Sequence, residues 1–415
     1  MRGAVRRGIC AAFWMAALVD PASSQAIEDY GPWEAGWRDV QFLDQHYGRG
    51  VLEGRMYYPA TAWGRDAPPA AGDGPFPLVG FLHGWWVGPE AYDLLCTHMA
   101  SAGFVVAAIG TEDGFWGVMD AEAWDARAMM QWAEDQSGLA GGFFEGLVDP
   151  DRPWSAVGHS MGGGALGYLA GVEPRLHLLI AMEPYHGRYN GGSLGALPGF
   201  ESHRGPAMFI GGSVDDWTPV GTMARVYYDT AALAQRNHLA VVLGAGHYAP
   251  EDYPVGALAD PLPWPDQHRL HRRLVTGMLR AEILGEEDLY YELVGEGILD
   301  EPLSVEVRAH QAAFWVQEST HFSNFLVLGM TAWPGDALVF ARSAVPASRD
   351  TPYGVLGLDT AALEIVTRDE CPLDGVLEVL LPIQASWAGT TLWFQGLQRR
   401  GPSALLTRTV AVDFP

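Results

Sequence analysis

The amino-acid sequence predicts an α/β fold, a mostly parallel sheet with helices on both faces, followed by a small all-β sandwich. Three observations carry this expectation. Continuous apolar runs alternate with helical patterns from Trp37 to about Leu299. Beyond Gly297 the texture changes to short strand-like segments separated by Gly, Pro, Asp and Ser. Finally, 415 residues exceed what one compact core usually serves, and a hydrophobic content of 48% is ample for two.

The first element is a leader. Arg2, Arg6 and Arg7 precede an apolar run from Ile9 to Val19, and small and polar residues follow up to Ser24-Gln25-Ala26. This three-part pattern predicts a secretory signal peptide over residues 1–26. Its apolar run is short for a bilayer span and no later stretch reaches that length, so we expect a secreted protein without a transmembrane segment: extracellular, periplasmic or on the cell surface.

Residues 27–299 form the expected catalytic domain. Val40–Tyr58 alternates in polarity and predicts antiparallel strands at one sheet edge. Pro77–His83, Phe104–Ile109, Trp154–Gly158, Leu176–Met182, Ala207–Gly211 and Leu239–Leu243 read as buried strands. Between them Pro89–Ala102, Ala121–Glu134, Met161–Leu169, Val220–Ala234 and Asp266–Ile283 read as helices. Residues 300–415 form the expected sandwich. Its candidate strands are Ser304–Arg308, Phe314–Gln317, Phe325–Leu328, Leu338–Ala341, Leu363–Thr367, Val376–Leu381, Thr391–Gln395 and Leu405–Val412.

Charge narrows the partners. The net charge is −25, and all 25 basic residues are arginine. So acidic a surface repels phosphate backbones and argues against nucleic acid as a partner. The sequence leaves the oligomeric state open. Of three cysteines, Cys10 falls in the leader, and sequence does not decide whether Cys96 and Cys371 pair. No His-Glu-x-x-His, zinc-spaced cysteine pair, EF-hand loop or well-placed dinucleotide fingerprint is present, so no metal or cofactor is expected.

One motif carries chemistry. Gly158-His159-Ser160-Met161-Gly162 fits G-x-S-x-G and stands between a strand pattern and a helix start. That is the context of a nucleophile elbow, in which a sharp turn lifts the serine Oγ clear of the sheet. The expected fold is therefore the α/β-hydrolase fold, with Ser160 as nucleophile. The oxyanion donors are expected to be the backbone N–H groups of Met161 and of Trp85, in the loop after Phe81-Leu82-His83-Gly84. His83, at a strand end, reads as loop support.

An acid and a histidine should follow in that order. Asp215 and Asp216 come just after the strand Ala207–Gly211, and the Asp-x-x-x-Pro spacing to Pro219 selects Asp215. His247 follows the strand Leu239–Leu243 in Gly244-Ala245-Gly246-His247, where the glycines allow it to swing over the sheet. His186, His203, His268 and His271 lack such a placement; His268 and His271 read as solvated on the charged side of the last helix.

With these residues in hand, the first domain resembles the bacterial cutinases and polyester hydrolases, including poly(ethylene terephthalate) hydrolases, within the dienelactone-hydrolase-like group; it is also similar to chlorophyllases. The likeness rests on Phe81-Leu82-His83-Gly84-Trp85, Ala102-Gly103-Phe104-Val105-Val106, Gly158-His159-Ser160-Met161-Gly162-Gly163, Asp215 with Pro219, and Gly246-His247. It implies that Trp85 and Tyr185, in Glu183-Pro184-Tyr185, flank the serine and bind substrate. Two departures stand out: the C-terminal disulfide common in those enzymes is missing, and His186–Gly205 is long and Gly-rich, as a small flap would be. The last domain looks like β-modules appended to exported bacterial proteins, which leaves attachment, substrate adhesion and shielding open as its role.

The expected function is hydrolysis of carboxylic esters through an acyl-enzyme on Ser160, with bulky or polymeric hydrophobic esters as substrates. The alternatives are a small-ester, lactone or phospholipid-acyl hydrolase with the same triad, and a non-catalytic binding or adhesion protein.

Overall fold

A computed structural model describes residues 26–186 and 194–415. The expected signal peptide and the centre of the Gly-rich segment after His186 lie outside the described residues. The strands of the large sheet are β1 (Glu34–Leu43), β2 (Val51–Ala60), β3 (Gly64–Arg65), β4 (Leu78–Leu82), β5 (Val105–Ile109), β6 (Trp154–His159), β7 (Leu176–Met182), β8 (Ala207–Gly212), β9 (Arg236–Val242) and β10 (Leu303–Ala309). They lie in the order β10-β9-β8-β7-β6-β4-β5-β2-β1-β3. From β5 to β9 neighbours are parallel, while β1 and β2 are antiparallel at one edge, as the alternation of Val40–Tyr58 predicts.

Residues of β4, β5 and β6 are buried on both faces, so their sequences read as unbroken apolar runs. Alternate side chains divide between two cores. Leu78, Leu82, Val105, Ala107 and Ala156 pack against α2 (Met119–Ser137) and α3 (Met161–Val172). Val79, Phe81, Val106, Ala108 and Val157 pack against α1 (Asp93–Ser101) and α6 (Trp264–Leu279). Shorter helices are α4 (Leu197–Ser202), α5 (Ala224–Thr230) and α7 (Tyr290–Val294). Among the described residues, no helix is long and apolar enough to cross a membrane.

The remaining strands are β11 (Phe314–Glu318), β12 (Phe325–Thr331), β13 (Ala337–Ser343), β14 (Pro346–Thr351), β15 (Gly354–Leu358), β16 (Glu364–Glu370), β17 (Val376–Pro382), β18 (Thr390–Arg400) and β19 (Ser403–Phe414). They form a three-stranded sheet β11-β12-β17, a four-stranded sheet β16-β13-β18-β19 and a hairpin β14-β15. All these pairings are antiparallel. Phe314, Leu326, Leu328, Met330, Phe340, Leu392 and Phe394 fill the space between the two larger sheets.

The structure departs from the sequence reading at the division between residues 299 and 300. Ser304–Arg308 was expected to open the sandwich. Instead β10 adds antiparallel to β9, with Val305 opposite Ala240 and Val307 opposite His238, and completes the large sheet. The three-stranded sheet also serves two cores. Phe314, Val316, Leu326 and Leu328 face the sandwich core, whereas Trp315 and Val327 belong to the core over α6. Trp315 stacks on Tyr290 with ring centroids 6.2 Å apart and donates Nε1–H to Glu378 at 3.1 Å. Cys96 and Cys371 are both free and buried.

Candidate active site

Ser160 stands between β6 and α3 with φ 52° and ψ −113°, a left-handed backbone that a β-carbon disfavours. The turn is possible because its flanks are glycine. A Cβ on Gly158 would lie 2.5 Å from the carbonyl oxygen of Gly162, and one on Gly162 would lie 2.3 Å from that of Leu82. Thus the spacing in G-x-S-x-G is set by backbone contact.

His247 closes over this turn. Its Nδ1 is 2.8 Å from Asp215 Oδ2 and its Nε2 is 3.0 Å from Ser160 Oγ. A carboxylate only accepts, so Nδ1 carries the proton and Nε2 is free to accept from the serine hydroxyl. Asp215 is itself held from the other side: the backbone N–H groups of Trp217 and Thr218 donate to Oδ1 at 2.7 and 2.8 Å, and Thr218 Oγ donates to Oδ2 at 2.5 Å. Burial works against its charge, but hydrogen bonds from His247 and Thr218 outweigh that and hold its carboxyl below the usual range. An imidazole so placed can accept a hydroxyl proton and be stabilised as imidazolium.

The structure thus brings Ser160, Asp215 and His247 together. Met161 opens α3, whose first-turn amides have no partner within the helix. Trp85 lies on the loop after β4, half-exposed, its indole N–H donating to the Phe115 carbonyl at 3.0 Å. This loop abuts the elbow: a Cβ on Gly84 would lie 3.5 Å from Ser160 Cβ. Tyr185 is tied to the elbow through its backbone N–H, which donates to the Ser160 carbonyl at 2.8 Å. His83 is buried, with its ring nitrogens on the carbonyls of Gly84 and Thr111 at 2.9 and 2.8 Å, a loop support.

Two histidine readings need correction. His268 and His271 are buried rather than solvated. His271 Nε2 is 3.0 Å from Glu183 Oε1, and His268 Nε2 is 3.3 Å from Asp252 Oδ1. The helix carries its own arginines and histidines, and the carboxylates that pair with His271 and His268, Glu183 and Asp252, lie on other elements, which one sequence segment does not reveal. Thr218 was also missed, although an oxygen side chain three residues after the acid is a signal for a local turn. Among the described residues, no group of three or more His, Cys, Asp or Glu side chains is arranged to hold a metal ion.

Exposed rings cluster about Trp85. Trp85, Trp86, Phe115 and Trp116 touch in sequence, with centroids 5.7 Å apart for Trp85–Trp86, 5.1 Å for Trp85–Phe115 and 5.0 Å for Phe115–Trp116. Trp116 is 79% exposed. Trp217, 64% exposed, has its ring 6.4 Å from that of His247.

A G-x-S-x-G elbow at the end of a central parallel strand, with an acid after β8 and a histidine after β9, defines an α/β-hydrolase fold. More narrowly, the family model described as PET hydrolase-like matches residues 19–255, and the chain belongs to that family. It is similar to Cutinase 2 of Thermobifida cellulosilytica, with 30% identity over 152 residues, 37% of this chain and 53% of that protein. It is equally similar to Cutinase cut1 of Thermobifida fusca, with 30% identity over 152 residues and 43% of that protein. The chain spans about half the length of these relatives.

Proposed function

We propose that this protein is a secreted serine esterase that cleaves carboxylic esters through an acyl-enzyme on Ser160. The observation that carries the reading is the contact of His247 Nε2 with Ser160 Oγ at 3.0 Å, with Asp215 behind the ring. In this mechanism His247 takes the Ser160 proton as Oγ attacks the ester carbonyl, and the N–H groups of Met161 and Trp85 receive the oxyanion. The imidazolium then protonates the leaving alcohol, and water activated by the same ring releases the acid. Asp215 fixes the tautomer throughout. The two Thermobifida relatives named as cutinases support an ester substrate. The leader-like residues 1–26 support export, and residues 27–299 and 300–415 are proposed as catalytic domain and β-module, apart from β10, which pairs with β9 in the large sheet.

A fluorophosphonate probe tests this directly. The mature protein is expected to label stoichiometrically, and Ser160→Ala is expected to abolish labelling; folded wild-type protein that refuses the probe would leave the non-catalytic reading in its place.

The exposed ring cluster favours bulky or polymeric hydrophobic esters over small ones. Rings already packed against each other present a rigid apolar face that loses little entropy on binding, and Trp85 and Tyr185 are proposed to flank the bound ester. Trp116→Ala should lower the ratio of product release from a polyester film to turnover of a soluble p-nitrophenyl ester by about five-fold, since losing a desolvated aromatic contact of about 1 kcal/mol costs that factor. An unchanged ratio would favour the small-ester alternative.

A further inference from the structure

A line of hydrogen bonds runs behind the proposed triad and joins the oxyanion loop, the nucleophile elbow and the His247 loop. The N–H of Gly84, next to Trp85, donates to Tyr92 Oη at 3.0 Å. Tyr92 Oη lies 2.7 Å from His159 Nδ1, and His159 Nε2 lies 2.9 Å from the carbonyl oxygen of His247. Tyr92 and His159 are both buried. The direction of every bond follows from chemistry. The His247 carbonyl only accepts, so His159 carries its proton on Nε2, and neutral Nδ1 must accept from the Tyr92 hydroxyl. That hydroxyl oxygen in turn accepts from Gly84.

Burial, and then the nearby His247 ring, push the His159 ring well below its ordinary protonation range, in keeping with a neutral ring. The Glu251 carboxyl stands 3.8 Å from Nδ1, and burial raises it to about 7, so the site is lined by an acid that gives up its proton reluctantly.

Resting on the esterase reading, we propose that Tyr92 and His159 are positioning residues: together they hold the oxyanion loop and the His247 loop in register across the nucleophile elbow. Neither reaches the reacting atoms. Their effect is on geometry, to which rate is sensitive, a displacement of about 1 Å costing on the order of 10²-fold. His159 is suited to the task because it is the residue before Ser160, so any shift of the elbow is transmitted to both loops. The His247 side chain is held by Asp215 and Thr218, but its backbone is fixed by His159.

The test measures kcat and KM for a soluble p-nitrophenyl ester, with fluorophosphonate labelling rates alongside, in Tyr92→Phe, His159→Leu and His159→Gln. The expected result for Tyr92→Phe and His159→Leu is a kcat at least ten-fold lower with KM within two-fold, and labelling slowed in parallel. His159→Gln keeps an N–H able to reach the His247 carbonyl and should recover part of the loss. Wild-type protein that neither turns over the ester nor labels would overturn the esterase reading and the relay with it. An active wild type with Tyr92→Phe and His159→Leu within two-fold of it overturns the relay alone. Should Tyr92→Phe fail to fold, equal kcat in His159→Gln and His159→Leu overturns it as well.

Discussion

His247→Ala is expected to lower kcat by about 10⁴-fold or more while the protein stays folded. The size follows from what the ring does. Without it no other group among the described residues is shown hydrogen-bonded to Ser160 Oγ to take its proton, and none is placed to return one to the leaving alcohol. The fold should tolerate the change, because His247 sits on a loop and its backbone carbonyl, bound by His159, survives the substitution. Asp215→Asn is expected to be nearly as severe. An amide at Asp215 presents an N–H donor as well as an oxygen, which permits the opposite imidazole tautomer and so a proton on the wrong nitrogen. Matched steady-state rates and melting curves for the two variants check this. A folded His247→Ala protein retaining a tenth of wild-type kcat would contradict the assigned base.

The second large effect concerns the C-terminal module. A chain ending at Leu299 is expected to aggregate or to melt more than 10 °C below the longer protein, although it contains every proposed catalytic residue. Cutting there removes β10 and leaves the backbone of β9 as a bare sheet edge. It also uncovers the core over α6, where Val307, Trp315 and Val327 are buried. At about 1.5–3 kcal/mol for each large apolar side chain, those three alone contribute roughly 5–9 kcal/mol. That is comparable to the whole stability margin of a typical protein, about 5–15 kcal/mol. Differential scanning fluorimetry and size-exclusion chromatography of residues 27–299 beside residues 27–415 give the answer. A soluble 27–299 protein melting within a few degrees of the longer form would mean the module is an accessory. The expected result makes it a wall of the hydrolase.

How much of this was legible beforehand depends on the range of the interaction. The elbow was readable because its constraint is local: Gly158 and Gly162 are required by contacts within one turn and with the adjacent strand. Asp215 and His247 were readable because the fold places such residues after particular strands, and the strands announced themselves as apolar runs. Thr218 was within reach of the same local reasoning. His271 was misjudged because Glu183, which pairs with it, lies 88 residues away on another element. Tyr92 gave no signal at all, since its hydroxyl matters only through Gly84 and His159.

The strand at Ser304–Arg308 shows the same limit at larger scale. Its sequence specified a strand, but a strand's pattern does not name its neighbour, and two sheets with apolar faces were available to it. Sequence by itself determined the alternation, the elbow and the order of serine, acid and histidine, because short-range periodicity and steric contact are written into adjacent residues. Tertiary structure alone decided which sheet takes β10, which face of β11 and β12 serves which core, and which buried polar groups find each other. Those choices depend on desolvating surfaces against partners distant in the chain, and burial makes an unpaired polar group costly wherever its partner happens to lie in the sequence.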